Sequence, residues 1–284
     1  MQVDSHQHFW KYDVQRHSWI TEEMKVLKRD YLPADLLPEL RANGMDGCIA
    51  VQADQSEQET EFLLELAKQH DVIKGVVGWV DLQSPEISER LQHFSQFKKL
   101  CGFRHVVQSE ADDGFMVRPE FCRGISALRK YSFTYDILIY ARQLPAALEL
   151  VARFPDQPFV IDHIAKPSIR TRALAPWAAQ MRALADHANV YCKVSGLITE
   201  ADWRRWRVED LQPFLNVVFE TFGPERLMFG SDWPVCLLAG SYNQVKQLIE
   251  TYIGKLSIKQ KKDIFGLNAV RFYGLESTPN GPAT

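Results

Sequence analysis

The sequence predicts a single-domain α/β protein, a (β/α)8 barrel of the TIM-barrel type. Eight short β-rich runs recur along the chain, and amphipathic helical segments separate most of them. The length of 284 residues is close to the ~250 residues that one such barrel typically needs. The main alternative is an open doubly wound sheet, which would normally carry a glycine-rich phosphate loop after its first strand. Trp10, Lys11 and Tyr12 stand there instead, which favours the barrel.

The predicted strands are rich in Val, Ile, Phe or Tyr and show little polar alternation, as is typical of parallel strands that are covered on both faces. In chain order they are residues 3–9, 48–53, 73–80, 101–107, 134–140, 158–164, 190–195 and 226–232. Helical periodicity is found at 33–43, 56–70, 144–154, 173–187, 208–222, 242–252 and 257–272. We assign residues 1–275 to the barrel and expect the Ser-, Pro- and Gly-containing tail, 276–284, to be disordered.

Charge and composition restrict the possible partners. Lys and Arg total 33 and Asp and Glu total 36, so the formal net charge is −3, which does not indicate binding to nucleic acid or to an anionic membrane. The N-terminal residues lack the pattern of a signal peptide, and the five scattered cysteines form no CxxC pair. We therefore expect a cytoplasmic monomer or homodimer that acts on a small molecule.

Candidate site residues lie where predicted strands end, because the site of such a barrel forms at the carboxyl ends of its strands. The first strand carries Asp4, His6 and His8, and alternation would place all three on one face. The two imidazoles can then converge on one metal ion or one substrate atom. An HxH pair is a weak motif by itself, and a pair of hydrogen-bonded core histidines is the alternative interpretation.

His163 and Asp232 end the apolar sixth and eighth strands. A polar side chain in such a place is costly to bury without a partner. We interpret His163 as a third imidazole at the barrel mouth and Asp232 as a general base or metal ligand. The alternatives are a histidine bonded to a neighbouring carbonyl group and an aspartate that caps the next turn.

Cationic and aromatic residues supply candidates for substrate binding. Arg104, at the end of the fourth strand, can form paired hydrogen bonds with a carboxylate, a carbonyl or a hydroxyl pair, although a structural salt bridge is the alternative. Two long segments, 10–32 and 197–207, are candidate lids over the mouth, and a rim-lying amphipathic turn is equally consistent with 197–207. The predicted substrate-binding residues are Lys193, Arg142, Trp10, Trp203, Arg204 and Trp233.

The motifs HxH, His163 and Asp232, in this order at strand ends, resemble the amidohydrolase superfamily. The runs VDSHQHFW, GFRH, IDHIAKP, KVSG and FGSDWP are more narrowly similar to its sugar-lactonase branch. That branch includes L-fuconolactonases and L-rhamnonolactonases, and 2-pyrone-4,6-dicarboxylate lactonase is a relative. The resemblance covers residues 2 to about 275. It implies a carboxylic ester hydrolase of carbohydrate metabolism that opens a sugar-acid lactone.

In the catalytic set that we predict, Asp232 activates water as the general base. His6, His8, His163 and Arg104 polarise the carbonyl group or position the reactants. Binuclear members of the superfamily carry a bridging Lys or Glu after strand four and a histidine after strand five, whereas this chain has Arg104 and Tyr140 there. A two-metal site is therefore not expected.

The sequence does not decide whether the site requires a cofactor. The four residues His6, His8, His163 and Asp232 would suffice for one Zn²⁺ or another divalent ion. The resemblance implies that lactonases of this branch can also work without a metal, and we slightly favour a site that requires none. The alternative functions are a metal-dependent decarboxylase in which Arg104 holds a substrate carboxylate, and a non-catalytic sugar-acid binding protein.

Overall fold

The computed structural model describes residues 1–275, which form the predicted barrel. Its eight strands are parallel and follow one another around the sheet in chain order. Their bounds are β1 Val3–Gln7, β2 Gly47–Val51, β3 Ile73–Gly78, β4 Leu100–His105, β5 Thr134–Ile137, β6 Phe159–Ile161, β7 Val190–Val194 and β8 Leu227–Phe229. All eight were predicted within a few residues, so the fold class is confirmed. The predicted tail, 276–284, lies outside the described residues.

Helices follow the strands, and most of them cover the outside of the barrel. They are α1 Pro33–Ala42, α2 Glu57–Gln69, α3 Ile87–Phe94, α4 Pro119–Leu128, α5 Leu144–Arg153, α6 Trp177–Ala185, α7 Val208–Phe222, α8 Tyr242–Tyr252, α9 Ile258–Lys262 and α10 Asn268–Tyr273. The sequence had not indicated α3 and α4, which are short. The last predicted helix is divided into α9 and α10 by a π-helical turn at Asp263–Leu267. No helix within residues 1–275 is long and apolar enough to cross a membrane.

The barrel interior contains an apolar layer below a polar layer. The lower layer is made by inward-facing residues of the strands and by the last helix, namely Val3, Ile49, Val51, Val77, Val160, Met228, Phe272 and Tyr273. Above the apolar layer lie ionisable side chains. Alternation along a strand brings every second residue back to the inner face of the barrel. Asp136, for example, points inward, because its neighbours Tyr135 and Ile137 point outward into the apolar core between the strands and the helices. The polar layer therefore lies directly beneath the mouth of the barrel.

The backbone hydrogen bonds that join β1 to β8 lie mainly at the carboxyl end of β1 and just after β8. The Asp232 amide donates to the His6 carbonyl at 2.8 Å, and the His8 amide donates to the Trp233 carbonyl at 2.7 Å. Both joints lie at the mouth, so the first and last strands bring their terminal side chains together there.

Asp4 does not join the two histidines of its strand, and the expectation that the three share a face is wrong. The register of β1 against β2 shifts between Asp4 and Gln7, and such a bulge breaks the alternation of faces. The Asp4 carboxylate instead accepts from the backbone amides of Ser231, at 2.9 Å, and His6, at 3.1 Å.

Candidate active site

The structure brings the two histidines of β1 together with the carboxylate that follows β8. The Nε2 atoms of His6 and His8 lie 3.3 Å apart. Asp232 Oδ1 lies 3.4 Å from Nε2 of His8 and 4.0 Å from Nε2 of His6. All three side chains are buried. The convergence predicted from the sequence thus exists at the mouth of the barrel.

Backbone and side-chain partners orient the imidazoles. His8 Nδ1 lies 2.8 Å from the Val51 carbonyl oxygen. A carbonyl oxygen can only accept a hydrogen bond, so Nδ1 carries the proton and Nε2 presents its lone pair to the cluster. His163 Nδ1 lies 2.9 Å from Ser195 Oγ, and its Nε2 lies 3.9 Å from Asp232 Oδ1. Each ring therefore turns its Nε2 atom towards Asp232.

His163 begins a left-handed turn that the sequence does not indicate. Residues His163, Ile164, Ala165 and Lys166 have φ angles of 52°, 49°, 58° and 43°, and none of them is glycine. Each L-residue in this conformation costs roughly 1–2 kcal/mol. Strain of this kind persists only where the surrounding fold enforces it, and it is concentrated at functional sites.

A buried ion network supports His6 from below. Lys193 Nζ lies 2.5 Å from Asp136 Oδ2 and 3.0 Å from Asp162 Oδ1. Asp162 Oδ1 lies 3.2 Å from His6 Nδ1, and Arg104 Nη1 lies 3.0 Å from Asp162 Oδ2 and 3.2 Å from His6 Nε2. The network also explains why these charges can be buried, since each has an oppositely charged partner.

Burial keeps His6 and His163 neutral at pH 7. Burial lowers the pKa of His6 well below its usual value, although the Asp162 carboxylate opposes this effect. Burial and the neighbouring His6 likewise lower the pKa of His163. Burial alone would raise the pKa of Asp162, but Lys193, His6 and Arg104 together hold it well below its usual value. Neutral imidazoles and ionised carboxylates are the protonation states that bind metal ions.

The cluster fits one divalent cation. Ligand atoms at 2.0–2.1 Å from a tetrahedral zinc ion lie about 3.3 Å from one another, and two of the three separations among His6, His8 and Asp232 are close to this value. These three residues form one possible ligand group, and His6, Asp162 and His163 form a second that shares His6. The second group is the poorer choice, because Asp162 already accepts from Arg104 and contacts Lys193.

A cavity of about 580 Å³ opens above the cluster. His8, His163, Asp232 and Arg104 lie at its base, and both candidate lid segments border it. Segment 10–32 contributes Arg16, Ser18, Trp19 and Met24, and segment 197–207 contributes Thr199, Glu200 and Trp203. The volume is in the range of sites for small molecules.

The structure places only some of the predicted substrate-binding residues on this cavity. Trp203 lines it, and its indole donates to the Thr199 carbonyl at 2.8 Å. Lys193 is fully buried in the ion network below. Trp10 and Trp233 are buried and both pack edge-on against Tyr31.

The two predicted arginines also lie away from the cavity. Arg142 is exposed and donates to Asp113 at 2.8 Å, and Arg204 is exposed on its loop and does not line the cavity. Among the residues predicted to bind substrate, the structure therefore brings only Trp203 to the cavity wall.

Several residues that shape the site were not selected from the sequence. Asp136 and Asp162 anchor Lys193 and His6. Gln52 follows β2, accepts from Arg104 at 3.1 Å and donates to its carbonyl at 3.1 Å. Alternation along the strands was the available signal for Asp162, because it lies two residues after the inward-facing Val160.

The sequence matches the Amidohydrolase family over residues 3–275, and the chain belongs to this family. It is 44% identical over 286 residues to L-fucono-1,5-lactonase from Burkholderia multivorans, covering 97% of this chain and 96% of that protein. It is 34% identical to L-fucono-1,5-lactonase from Burkholderia ambifaria, covering 98% and 97%. The resemblance inferred from the motifs is thus confirmed.

A solved structure of a similar protein contains zinc. An amidohydrolase from Burkholderia multivorans with bound zinc is 44% identical, has a TM-score of 0.94, and matches 97% of this chain and 100% of its own. The sequence-based preference for a site without a cofactor finds no support.

Proposed function

We propose that this protein hydrolyses a sugar-acid lactone of the L-fucono-1,5-lactone type to the aldonic acid, and is thus a carboxylic ester hydrolase. The observation that carries the proposal is the Asp232 carboxylate, which lies among three imidazoles at the base of a cavity suited to a small molecule. The near-full-length identity to two L-fucono-1,5-lactonases supports the choice of substrate.

Asp232 is the general base in the mechanism that we derive. Its carboxylate removes a proton from water while the water oxygen attacks the lactone carbonyl carbon. The ring C–O bond of the tetrahedral species then breaks, and the proton held by Asp232 passes to the departing alkoxide. The products are a free hydroxyl group and a carboxylic acid, which ionises in water.

Neighbouring donors stabilise the negative charge that develops on the carbonyl oxygen. His163 lines the cavity beside Asp232, and Ser195 holds its ring in place. Arg104 adds a positive charge from beside His6, although its guanidinium group already donates to Asp162 and Gln52. One well-placed donor such as the His163 ring is typically worth about 3–4 kcal/mol in the transition state. An ester needs less electrophilic help than an amide, because its leaving group is an alkoxide.

His6, His8 and Asp232 are the residues that would hold one divalent ion, with His163 beside them. Such an ion, when bound, supplies Lewis-acid polarisation of the substrate carbonyl group. Asp162 keeps His6 in position by contacting its Nδ1 atom, and the Val51 carbonyl does the same for His8.

Lactone hydrolysis with a pH indicator tests the proposal. The panel contains L-fucono-1,5-lactone, L-rhamnono-lactone and aldonolactones, assayed before and after chelator treatment with metal quantification on the same samples. We expect turnover of a 6-deoxy lactone, lost with the metal and restored by zinc. Turnover that persists in metal-free protein would limit the role of the ion, and failure on every lactone would reject the function.

The two alternative functions receive less support. A decarboxylase of the same superfamily would need Arg104 free to hold a substrate carboxylate, but Asp162 and Gln52 already occupy its guanidinium group. A non-catalytic binding protein would have no need for the pre-arranged base. No specific observation favours either.

We also retain the proposal of a cytoplasmic monomer or homodimer. The five cysteines all lie within residues 1–275 and are unpaired there, which is common in reducing compartments. Burial raises the pKa of Cys48 and Cys236 well above the usual range, so these thiols are poorly reactive.

A further inference from the structure

We propose that Lys166 and Glu200 act together as a specificity-determining pair that binds adjacent hydroxyl groups of the lactone ring. The inference deepens the proposed function and rests on it. Neither residue was among those predicted from the sequence to form the site.

The strained turn after β6 places two side chains in one cavity. It begins at His163 and ends at Lys166, with φ positive throughout, and both end residues line the cavity. An ordinary right-handed turn from the same strand would send the fourth residue in a different direction. The position of His163 requires only that the turn begins there. The position of Lys166 requires that the left-handed conformation continues through all four residues.

The pair is close but not tightly bonded. Lys166 Nζ lies 3.5 Å from Glu200 Oε1, beyond the 2.7–3.2 Å of a good N–H···O hydrogen bond. Both side chains are mostly buried, with 17% and 21% of their surfaces exposed. Burial raises the pKa of the Glu200 carboxyl, against the lowering effect of Lys166. Both groups thus retain unused hydrogen-bonding capacity in a partly dehydrated place.

An ammonium beside a carboxylate complements a pair of adjacent hydroxyl groups. Each hydroxyl can accept from Lys166 and donate to Glu200, so both partners of the diol are satisfied. Charged groups form stronger hydrogen bonds than neutral ones. A substrate that lacks one hydroxyl would leave one of these partly buried groups short of a hydrogen bond, which is the basis of discrimination.

The position of the pair relative to the base suits a ring substrate. Lys166, Glu200 and Asp232 line the same cavity, and the Asp232 carboxylate is near enough to raise the pKa of Glu200. A lactone with its carbonyl carbon beside Asp232 therefore extends its ring hydroxyls into the space that the pair borders. The other pair on this cavity, Arg16 and Asp54, is closed more tightly, at 3.0 Å.

A salt bridge that only joins two loops is the competing explanation. The test therefore compares L-fucono-1,5-lactone with its 2-deoxy, 3-deoxy and 4-deoxy analogues, using the wild type, Lys166→Met and Glu200→Gln. We expect each variant to lose about 10- to 100-fold in kcat/KM on the parent lactone. On the analogue that lacks the contacted hydroxyl, the variant and the wild type should be nearly equal.

Lys68→Met is the matched control, because Lys68 forms an exposed ion pair with Glu65 on α2, away from the cavity. It should leave every value unchanged. A uniform loss of kcat/KM across all four lactones in Lys166→Met and Glu200→Gln would assign the pair a structural role and overturn the proposal.

Binding of L-fuconate, measured by calorimetry, separates this inference from the proposed function. If the wild type hydrolyses no lactone, the proposed function fails, and the binding result alone decides the role of the pair. A loss of affinity of about tenfold or more in Lys166→Met would support it. Unchanged affinity in both variants would overturn it.

Discussion

Lys193 and Asp162 form a 3.0 Å ion pair inside the barrel, and neither side chain has any exposed surface. Asp162 in turn contacts His6 Nδ1 at 3.2 Å. Lys193 therefore acts on the site through His6 and does not itself reach the cavity.

Replacing Lys193 with Met should destabilise the protein severely. The change leaves Asp136 buried without its cation and leaves Asp162 with Arg104 alone, and breaking such a buried pair costs about 3–5 kcal/mol. Urea denaturation measures the free energy of unfolding. Adding Asp136→Asn should recover part of the loss, because it removes one stranded charge. Strict additivity of the two changes would contradict this account.

Asp232→Asn should abolish most activity while the fold remains intact. An amide cannot accept the proton of the attacking water, and general-base catalysis typically contributes about 10²–10⁴-fold. Steady-state lactonase assays give kcat, and thermal unfolding reports the fold. Asp186→Asn, an exposed change at the end of α6, is the control. Turnover near that of the wild type in Asp232→Asn would reject the assigned role.

His8→Ala should weaken zinc binding by at least ~100-fold. The substitution removes one of three converging donor atoms, and even the loss of a residue that only orients a ligand costs about 10- to 100-fold in metal affinity. Competition with a chromogenic chelator measures the dissociation constant. His93→Ala, on α3 and outside the cluster, should bind zinc as the wild type does. Equal affinity in the two variants would remove His8 from the ligand set.

Gly196→Ala should impair catalysis more than an equivalent glycine replacement elsewhere. Gly196 has a φ of 64°, and an added Cβ would lie 2.6 Å from His163 Nδ1. Gly44 has the same φ, but an added Cβ there meets nothing within 4 Å. Both variants bear the backbone penalty, roughly 1 kcal/mol. Only Gly196→Ala should also lower kcat, because it displaces the imidazole. Similar kcat values in both would show that His163 tolerates displacement.

Stability should fall with rising pH because of Glu59. Burial raises the pKa of this carboxyl to about 7, and the side chain accepts from the Ala53 amide at 3.2 Å. The folded state holds the proton more tightly than the unfolded state, so this contribution is complete below the unfolded pKa and is lost as pH rises through about 7.

Glu59→Gln measures this contribution directly. The difference in the free energy of unfolding between Glu59→Gln and the wild type should shift in favour of the variant by about 3 kcal/mol as the pH rises from about 4 to about 8. Denaturation curves at several pH values provide the test. Glu61→Gln, at an exposed position of the same helix, should show a difference from the wild type that does not vary with pH. A parallel pH profile for Glu59→Gln and the wild type would disprove the shift.

The fold was predictable because parallel barrel strands are apolar on both sides and stand out as separate runs. The predicted strands extend too far at their carboxyl ends. Predicted strand six, for example, continues to residue 164, whereas β6 ends at Ile161. The chain bends there into the left-handed turn, which no local preference favours and which only the tertiary fold enforces.

The residues that converge at the mouth of the barrel were predictable, but the residues that surround and support them were less so. Side-chain type and strand position were enough to select His6, His8, His163 and Asp232. They were not enough for Lys193 or Trp10, because a residue type does not reveal its partner. Lys193 forms ion pairs with two buried aspartates inside the barrel, and Trp10 packs against Tyr31. Both side chains therefore contact other protein groups and do not face the substrate cavity.

The joint between β1 and β8 has a consequence for synthesis of the protein. The base comes from the end of the last strand and two imidazoles from the first, and the backbone bonds from Asp232 to His6 and from Trp233 to His8 hold them together. A nascent chain that has emerged only as far as β7 possesses the histidines but no carboxylate to work with them. Hydrolytic competence therefore arises in a single late step, when the final strand docks.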